Sequence, residues 1–509
     1  MAKFPLVFLT VFIIALIVLT LNGCKGCRDE NKTPSWHTYI KPKNEYVPAD
    51  TTQQIIVWRN PGGGDNLLNY WLDSIHTATN KDFGITVFCG SCADSNLLLI
   101  EGPGIRTFIQ SAAGKGGGSP CTSPPTMPNC NGPHGGGDTI YWCVNFPVEL
   151  KDSANFDNGT FPNVPIYGKP RQLPPGNSIS SGVHDTIIVA VFDTGIDTVE
   201  AKTNNYFYIN NTSNCLNPTL ASNGWNFPGR TNIVADDYTA VSRVGHGQVV
   251  AHLISEQVNL YGQNNLKILP VKIHNDHGSS DLFSVLCGMA YARERGAQII
   301  NASFGYYALK KPGVSAVEDP SALLIKQYIK HYLLNADDGS KSILLIAAAG
   351  NGDTKTNDAD EKKLYTDAGL TPPPNMRDLD QVNFYPASLA SDPELPNVIA
   401  VTTVWNALDS VSPNENFSKN VVDIGVNANL TLAGDFWFSN THTAASFVRG
   451  SSYATPIVAG IICANYNKIK NSIPDKNAIL STLLNDPFIG NNNTANGKLR
   501  KGIMFDRAH

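Results

Sequence analysis

The sequence predicts an α/β fold for residues 183–509, and three observations predict it. Two runs, Ile187–Phe192 and Ile343–Ala349, are apolar without alternation. That is the pattern of a parallel strand covered on both faces. Segments of helical spacing fall between such runs: Val249, Val250, Leu253 and Ile254 after Gly247, and Ile457, Val458, Ile461 and Ile462 in a stretch opening at Gly450 and running to about Asn467. Strand-like runs then recur near residues 187–192, 267–273, 298–303, 343–349 and 398–404, which is the rhythm of a sheet built by crossover connections.

The residues before this region divide in order. Lys3 precedes an uncharged, mostly apolar run from Pro5 to Leu21, and Leu21-Asn22-Gly23-Cys24 follows. The stretch resembles a bacterial lipobox, with residues 1–23 as a lipoprotein-type signal peptide and Cys24 as the lipidated residue. An ordinary signal peptide and an uncleaved anchor are the alternatives, and all three place the chain outside the cytoplasm. Lys25 after Cys24, in place of an inner-membrane retention Asp, favours an outer membrane or cell surface over an inner membrane. Residues 24–50 read as a tether.

Residues 51–102 read as a small α+β unit. Strands are expected over Gln54–Trp58, Gly84–Phe88 and Asn96–Ile100, with a helix over Asn66–Ile75 that places Leu67, Leu68, Trp71, Leu72 and Ile75 on one broad face. Cys89 and Cys92 fall in a turn between strands, where a disulfide is favoured over a redox motif or a metal site. Residues 103–182 carry Gly116-Gly117-Gly118, Gly135-Gly136-Gly137 and many prolines, and read as linker or irregular loops, stapled by Cys121, Cys130 and Cys143.

The composition bounds the function. The 509 residues are 42% hydrophobic and carry a net charge of −5. There is core enough for a large globular protein and no basic excess for a nucleic-acid binder. No feature reports an oligomeric state. The glycine clusters match no phosphate loop, and there is no His-Glu-x-x-His for a zinc peptidase. Asp193-Thr194-Gly195 has no second copy, which removes the aspartic-peptidase reading. The one His after Ser452 is His509, which makes the α/β-hydrolase order of Ser, Asp and then His a poor fit.

Four short motifs remain, in one order. Asp193 ends a buried strand, His246 lies between Gly245 and Gly247, Asn351 follows the run ending at Gly350, and Ser452 opens an apolar helix. Singly each has a structural explanation: a turn Asp, a helix-start His, a turn Asn and an N-cap Ser. Together, at spacings of 53, 105 and 101 residues, they resemble the subtilisin-like serine peptidases. The resemblance is carried by Val191-Phe192-Asp193-Thr194-Gly195-Ile196, Gly245-His246-Gly247, Ala347-Ala348-Ala349-Gly350-Asn351 and Gly450 to Pro456. It implies a doubly wound, mostly parallel sheet with helices on both faces.

It also implies a chemistry. Ser452 would be the nucleophile, His246 its base and later the acid, Asp193 the group that orients the imidazole, and Asn351 an oxyanion donor beside the backbone at Ser452. Ser303-Phe304-Gly305 would offer backbone to pair with an extended substrate, Gly305 leaving room for it. The partner is then a protein or peptide substrate, with the membrane reached through the N-terminal lipid and no nucleic acid involved. The rival is a non-catalytic lipoprotein that keeps the fold to bind peptides.

The unit at 51–102 resembles in architecture the propeptides of such enzymes, with a maturation cut between about Gly102 and Val183, or else a permanent accessory module. His252 stands where the family has a small residue, Ser451 where it has Thr, and Tyr453 where it has Met. Insertions are expected over Tyr306–Ser342, with a helix through Leu323, Leu324, Tyr328, Ile329 and Leu333, and over Gly352–Val382. The reaction needs no cofactor. Asp353, Asp358, Asp360 and Glu361 are residues of a kind that bind calcium, but their spacing is not that of an EF-hand and reads as a solvated loop.

Overall fold

The computed structural model describes residues 38–39, 54–59, 84–86, 97–101, 140–145, 147–149, 185–203, 206–209, 223–236, 245–261, 265–275, 278–310, 320–334, 341–351, 362–363, 365–366, 369–405, 410–427, 435–437 and 447–506. Its contacts divide the chain into two compact units.

The described residues of the first unit form one sheet of five strands: β1 (Thr38–Tyr39), β2 (Gln54–Arg59), β3 (Gly84–Thr86), β4 (Leu97–Glu101) and β5 (Ile140–Val144), in the order β1-β3-β4-β2-β5. β2 runs antiparallel to both neighbours, with Ile56 opposite Leu99 and Cys143. Ile56, Val57, Trp58, Leu97, Leu98 and Ile100 are buried. The expected strands are present as β2, β3 and β4. The expected helix over Asn66–Ile75, and Cys24, Cys89, Cys92, Cys121 and Cys130, lie outside the described residues.

One expectation changes. The stretch read as linker contains β5, and also β6 (Pro147–Glu149), which belongs to the second unit and pairs antiparallel with β10 (Ser279–Asp281). Ile140-Tyr141-Trp142-Cys143-Val144 has the β-branched and aromatic content of a strand. The surrounding glycine and proline masked that signal in the composition.

The second unit is built on one large sheet. Its strands are β7 (Thr186–Asp193), β8 (Trp225–Asn226), β9 (Asn265–Lys272), β11 (Ile299–Ala302), β13 (Leu344–Ala348), β15 (Val398–Trp405), β16 (Ser410–Val411), β17 (Ile424–Asn427), β20 (Gly490–Asn491) and β21 (Gly502–Phe505). The order is β20-β21-β17-β15-β13-β11-β7-β9-β8, with β16 on β15. Every pair is parallel except β20–β21 and β15–β16. The pairs β12 (Tyr306–Ala308) with β14 (Asn383–Tyr385), and β18 (Asp435–Trp437) with β19 (Phe447–Arg449), are small ribbons apart from it.

The chain path places the site. From β7 it moves to β9 on one side, then returns to β11 on the other and proceeds outward through β13, β15 and β17. The direction of winding therefore reverses between β7 and β11. In open parallel sheets the crevice beyond the strand ends at such a reversal is where ligands bind. Asp193 ends β7 and Ser303 follows β11.

Helices cover both faces. The helix α1 (Thr198–Thr203) is a short turn after β7. The helices α2 (His246–Tyr261) and α5 (Ser451–Ala464) pack against each other, and α5 lies across β7, β11, β13, β15 and β17. Ile187, Val189 and Val191 of β7 join their core, with Ile346, Val401, Ile457 and Ile461. Every residue of α5 is buried, as expected of a helix apolar all round. α3 (Leu282–Glu294) covers the opposite face, where Gly288 lies against Phe192 and Val271. α4 (Pro320–Ile329), the helix expected in the first insertion, packs on α3 and continues through a wider turn at Lys330–Leu334. α6 (Tyr466–Ile469) and α7 (Lys476–Leu484) are the last α-helices among the described residues, and β20 and β21 follow them.

Candidate active site

Asp193 and His246 meet at the end of β7. Asp193 is buried because its strand is buried, and a buried carboxylate needs partners. It has two: Oδ1 accepts from the Thr194 N–H at 2.8 Å, and the two oxygens lie 2.7 and 2.8 Å from His246 Nδ1. That contact sets Nδ1 as the protonated nitrogen of a neutral imidazole and leaves Nε2 as its basic end.

His246 is the first residue of α2. The residue after it must be glycine. A Cβ at Gly247 would stand 2.2 Å from the Gly195 carbonyl oxygen and 3.0 Å from Asp193 Cβ. The backbone of the helix thus rests directly on the turn that follows β7, and the Gly247 N–H donates to Thr194 Oγ1 at 3.1 Å.

Ser452 sits in the first turn of α5, whose N-cap is Gly450. Backbone N–H groups there have no acceptor within the helix. Three side chains hold this turn. Ser303 Oγ donates to the Ser452 carbonyl at 2.7 Å, and Asn301 Nδ2 donates to Ser303 Oγ at 2.9 Å. Asn351 Oδ1 accepts from both the Ser451 N–H and Ser451 Oγ at 2.9 Å. Because a backbone N–H can only donate, the facing atom of Asn351 is its oxygen, and Nδ2 is the atom left to donate elsewhere. The Tyr453 ring is buried, 4.9 Å from the His246 ring and tilted by 47°.

The expected substrate strand has a different internal arrangement. Ser303 is tied to the Ser452 backbone. Phe304 is buried against Phe192 and His274, with ring centroids at 6.5 and 5.7 Å. The space at Gly305 is taken by the chain's own Phe384, whose ring a Cβ would meet at 2.2 Å. The glycine is therefore required by internal packing, with the Tyr385 carbonyl oxygen 2.8 Å from the same point.

His252 is buried on α2 with Nε2 3.3 Å from Glu256 Oε2, one turn further along the helix. His274 follows β9 close to the centre. Burial, with the neighbouring Lys272 and any charge on His246 acting the same way, holds its imidazole well below the usual range, so it stays neutral. Asp353, Asp358, Asp360 and Glu361 lie outside the described residues. Among the described residues no group of His, Cys, Asp and Glu is arranged to hold a metal ion. Cys287 is disulfide-bonded, and Cys463 is a buried thiol that burial makes harder to ionise.

Lys272 and Glu415 are among the groups at the site that carry no sequence signal. Lys272, buried at the end of β9, donates to the Thr194 carbonyl. Glu415 is buried beside Asn351, with which its backbone forms an antiparallel bridge. Its Oε2 accepts from the Thr403 N–H at 2.8 Å and Thr402 Oγ1 at 3.2 Å. Asn416 next to it binds the Gly350 and Ala349 carbonyls, so this segment carries the loop that presents Asn351.

The subtilase family profile matches residues 184–495, and the chain belongs to that family. It is 31% identical over 169 residues to the cell wall-associated protease of Bacillus subtilis (strain 168), a match covering 32% of this chain and 16% of that one. It is 25% identical over 258 residues to the thermophilic serine proteinase of Bacillus sp. (strain AK1), covering 49% of this chain and 50% of the relative. The matched regions thus span half or less of each relative's length. The solved structure of the epidermin leader peptide processing serine protease from Staphylococcus aureus is 16% identical, with a TM-score of 0.48 over 89% of this chain and 96% of that one.

Burial raises the Glu415 carboxyl from 4.5 to about 7, against the opposing pull of its threonine hydrogen bonds. Below pH 4 both folded and unfolded chains hold the proton. As pH rises toward 7 the unfolded chain releases a proton that the folded chain keeps, so stability falls through that window and levels off above it. The cost reaches roughly 3 kcal/mol at most. Glu415→Gln keeps an acceptor for Thr403 and removes the titration. Its urea midpoint, followed from pH 5 to pH 8, is expected to fall less than that of the wild type.

Proposed function

We propose that the chain is an exported, lipid-anchored serine endopeptidase that cleaves unstructured segments of protein. The observation that carries the catalytic reading is the buried Asp193–His246 pair at 2.7 and 2.8 Å, with Ser452 on the helix packed beside it. Ser452 Oγ attacks the scissile carbonyl carbon while His246 Nε2 takes its proton. Asp193 holds the imidazole and stabilises its charged form. The C–N bond breaks as His246 returns the proton to the leaving amine. Water, deprotonated by His246, then attacks the ester and releases the acid product with Ser452 restored. Asn351 Nδ2 and the Ser452 N–H are the donors to the oxyanion.

Export and anchoring rest on the run Pro5–Leu21 followed by Leu21-Asn22-Gly23-Cys24. Among the described residues no helix is long and apolar enough to cross a membrane, and the N-terminal run lies outside them. In this reading the unit at 51–102 is a propeptide, with a cut between about Gly102 and Val183, and the lipid at Cys24 holds the chain at the membrane until that cut.

A fluorophosphonate probe tests the catalytic reading. Wild-type protein is expected to label and Ser452→Ala to remain unlabelled with an unchanged circular dichroism spectrum. A folded wild type that takes no label would instead mark a peptide-binding protein. For the anchor, Cys24→Ser is expected to move the uncut chain from the membrane fraction to the soluble one, and an uncut mutant chain still in the membrane fraction would refute lipidation at that residue.

Tyr453 gives a further expectation. The residue packed on His246 has no thioether to oxidise. Met289, Met376 and Met504 are buried, as is the thiol of Cys463. Activity is expected to survive hydrogen peroxide at a dose that inactivates Tyr453→Met, as measured by residual hydrolysis of a peptide substrate.

A further inference from the structure

We propose that Asp236 is a further positioning residue of the catalytic centre, whose carboxylate clamps the turn carrying Asp193 to the first turn of the helix carrying His246. The reading rests on the catalytic roles assigned above to Asp193 and His246.

Three observations carry it. Asp236 is buried, and its Oδ2 accepts from Thr194 Oγ1 at 3.0 Å and from the Gln248 N–H at 3.2 Å. Thr194 adjoins Asp193, and Gln248 lies two residues after His246. One oxygen thus joins both halves of the pair. Second, the residue before α2 is Gly245, which has no side chain to cap the helix. Asp236 supplies the missing acceptor from elsewhere in the chain, and its negative charge lies at the positive end of the helix dipole. Third, Asp236 is itself held to the same turn. Its N–H donates to the Ile196 carbonyl at 3.2 Å, and the Ile196 N–H donates to the Val234 carbonyl at 3.0 Å. Gln248 Oε1 completes the enclosure by accepting from the Asp197 N–H at 2.6 Å.

The carboxylate is also a charge. Burial raises Asp236 to about 7, partly offset by Lys272 and a Gly245 hydrogen bond, while the nearby Asp193 raises it further. Lys272, Asp193, His246 and His274 are the other titratable groups of this cluster. Of these His274 stays neutral. An ionised Asp236 adds negative charge behind Asp193 and so favours the imidazolium at His246.

Two substitutions separate the roles. Asp236→Ala removes both acceptor and charge. Asp236→Asn keeps an oxygen for Thr194 and Gln248 and removes only the charge. With fluorophosphonate titration counting the active sites, Asp236→Ala is expected to lower kcat per site by about 10- to 100-fold with KM changed less than about twofold. Asp236→Asn is expected to recover most of kcat, with the acid limb of its pH profile moved to lower pH. Thr194→Val removes the Thr194 arm of the clamp, together with the acceptor of the Gly247 N–H, with little change of volume. It is expected to lower kcat less than Asp236→Ala does, and provides the test should that variant not fold.

A readout independent of turnover accompanies them. The low-field proton resonance of the His246 Nδ1–H in its bond to Asp193 is expected to shift or broaden in Asp236→Ala and Thr194→Val, and to return in Asp236→Asn. An unchanged resonance in both variants overturns the clamp even where no turnover is seen. So does an unchanged kcat per site with an unchanged pH profile. A wild type that shows the resonance but takes no label overturns the peptidase reading and leaves the clamp standing.

Discussion

The contact between the end of β7 and the first turn of α2 is the constraint from which the site follows. At Gly247 the helix backbone touches the Asp193–Gly195 turn so closely that a single methyl group would part them. Because the two backbones touch, a short side chain such as Asp193 reaches the imidazole of His246 without spanning any gap. The same closeness recurs between α2 and α5. There a Cβ at Gly460 would stand 2.7 Å from the Ile254 carbonyl oxygen. The helix bearing His246 and the helix bearing Ser452 are thus referenced to each other through backbone contacts, which deform less than side-chain contacts do. Precision in such a centre is a matter of tenths of an ångström, and close-packed backbone provides it.

The arrangement has an electrostatic cost. Asp193, Asp236 and Lys272 are buried together, along with His246 and His274. Each charge loses its hydration, and only hydrogen bonds and opposite charges offset that loss. Thr194 occupies the middle of the cluster: its hydroxyl donates to Asp236 and accepts from the Gly247 N–H, and its carbonyl accepts from Lys272. A second buried ionic group shows the same logic without a site. Lys476 at the start of α7 donates to the carbonyls of Ala390 and Val398 and to Asp423, and Arg500 shares Asp423. These bonds anchor the C-terminal helix to the sheet.

Much of this was legible in the residues. β7, β13 and β15 lie inside the sheet with cover on both faces, so their runs carry no polar alternation, and they stand where the hydrophobic pattern placed them. Asp193 and His246 were legible for a chemical reason. A carboxylate closing an apolar strand and an imidazole between glycines both demand explanation, and one explanation serves for both. β5 was not legible, because a run of five residues cannot be seen against a composition dominated by glycine and proline. Gly305 was legible as a close contact, but its partner was not: Phe384 arrives through the pairing of β12 with β14, which no local pattern announces.

Asp236, Lys272 and Glu415 mark the limit. In the sequence they are ordinary polar residues, with neither motif nor spacing to distinguish them. Their importance comes from burial and register: Asp236 meets Gln248 and Thr194, Lys272 ends the strand beside β7, and Glu415 bridges to Asn351. The sequence by itself determined the class of fold and singled out the residues proposed to react, because apolar periodicity and the chemistry of nucleophile, base and carboxylate are properties of residue types in order. Tertiary structure alone decided which groups hold those residues in place, because a hydrogen bond between distant segments depends on where the chain has been brought and not on what lies beside it in the chain.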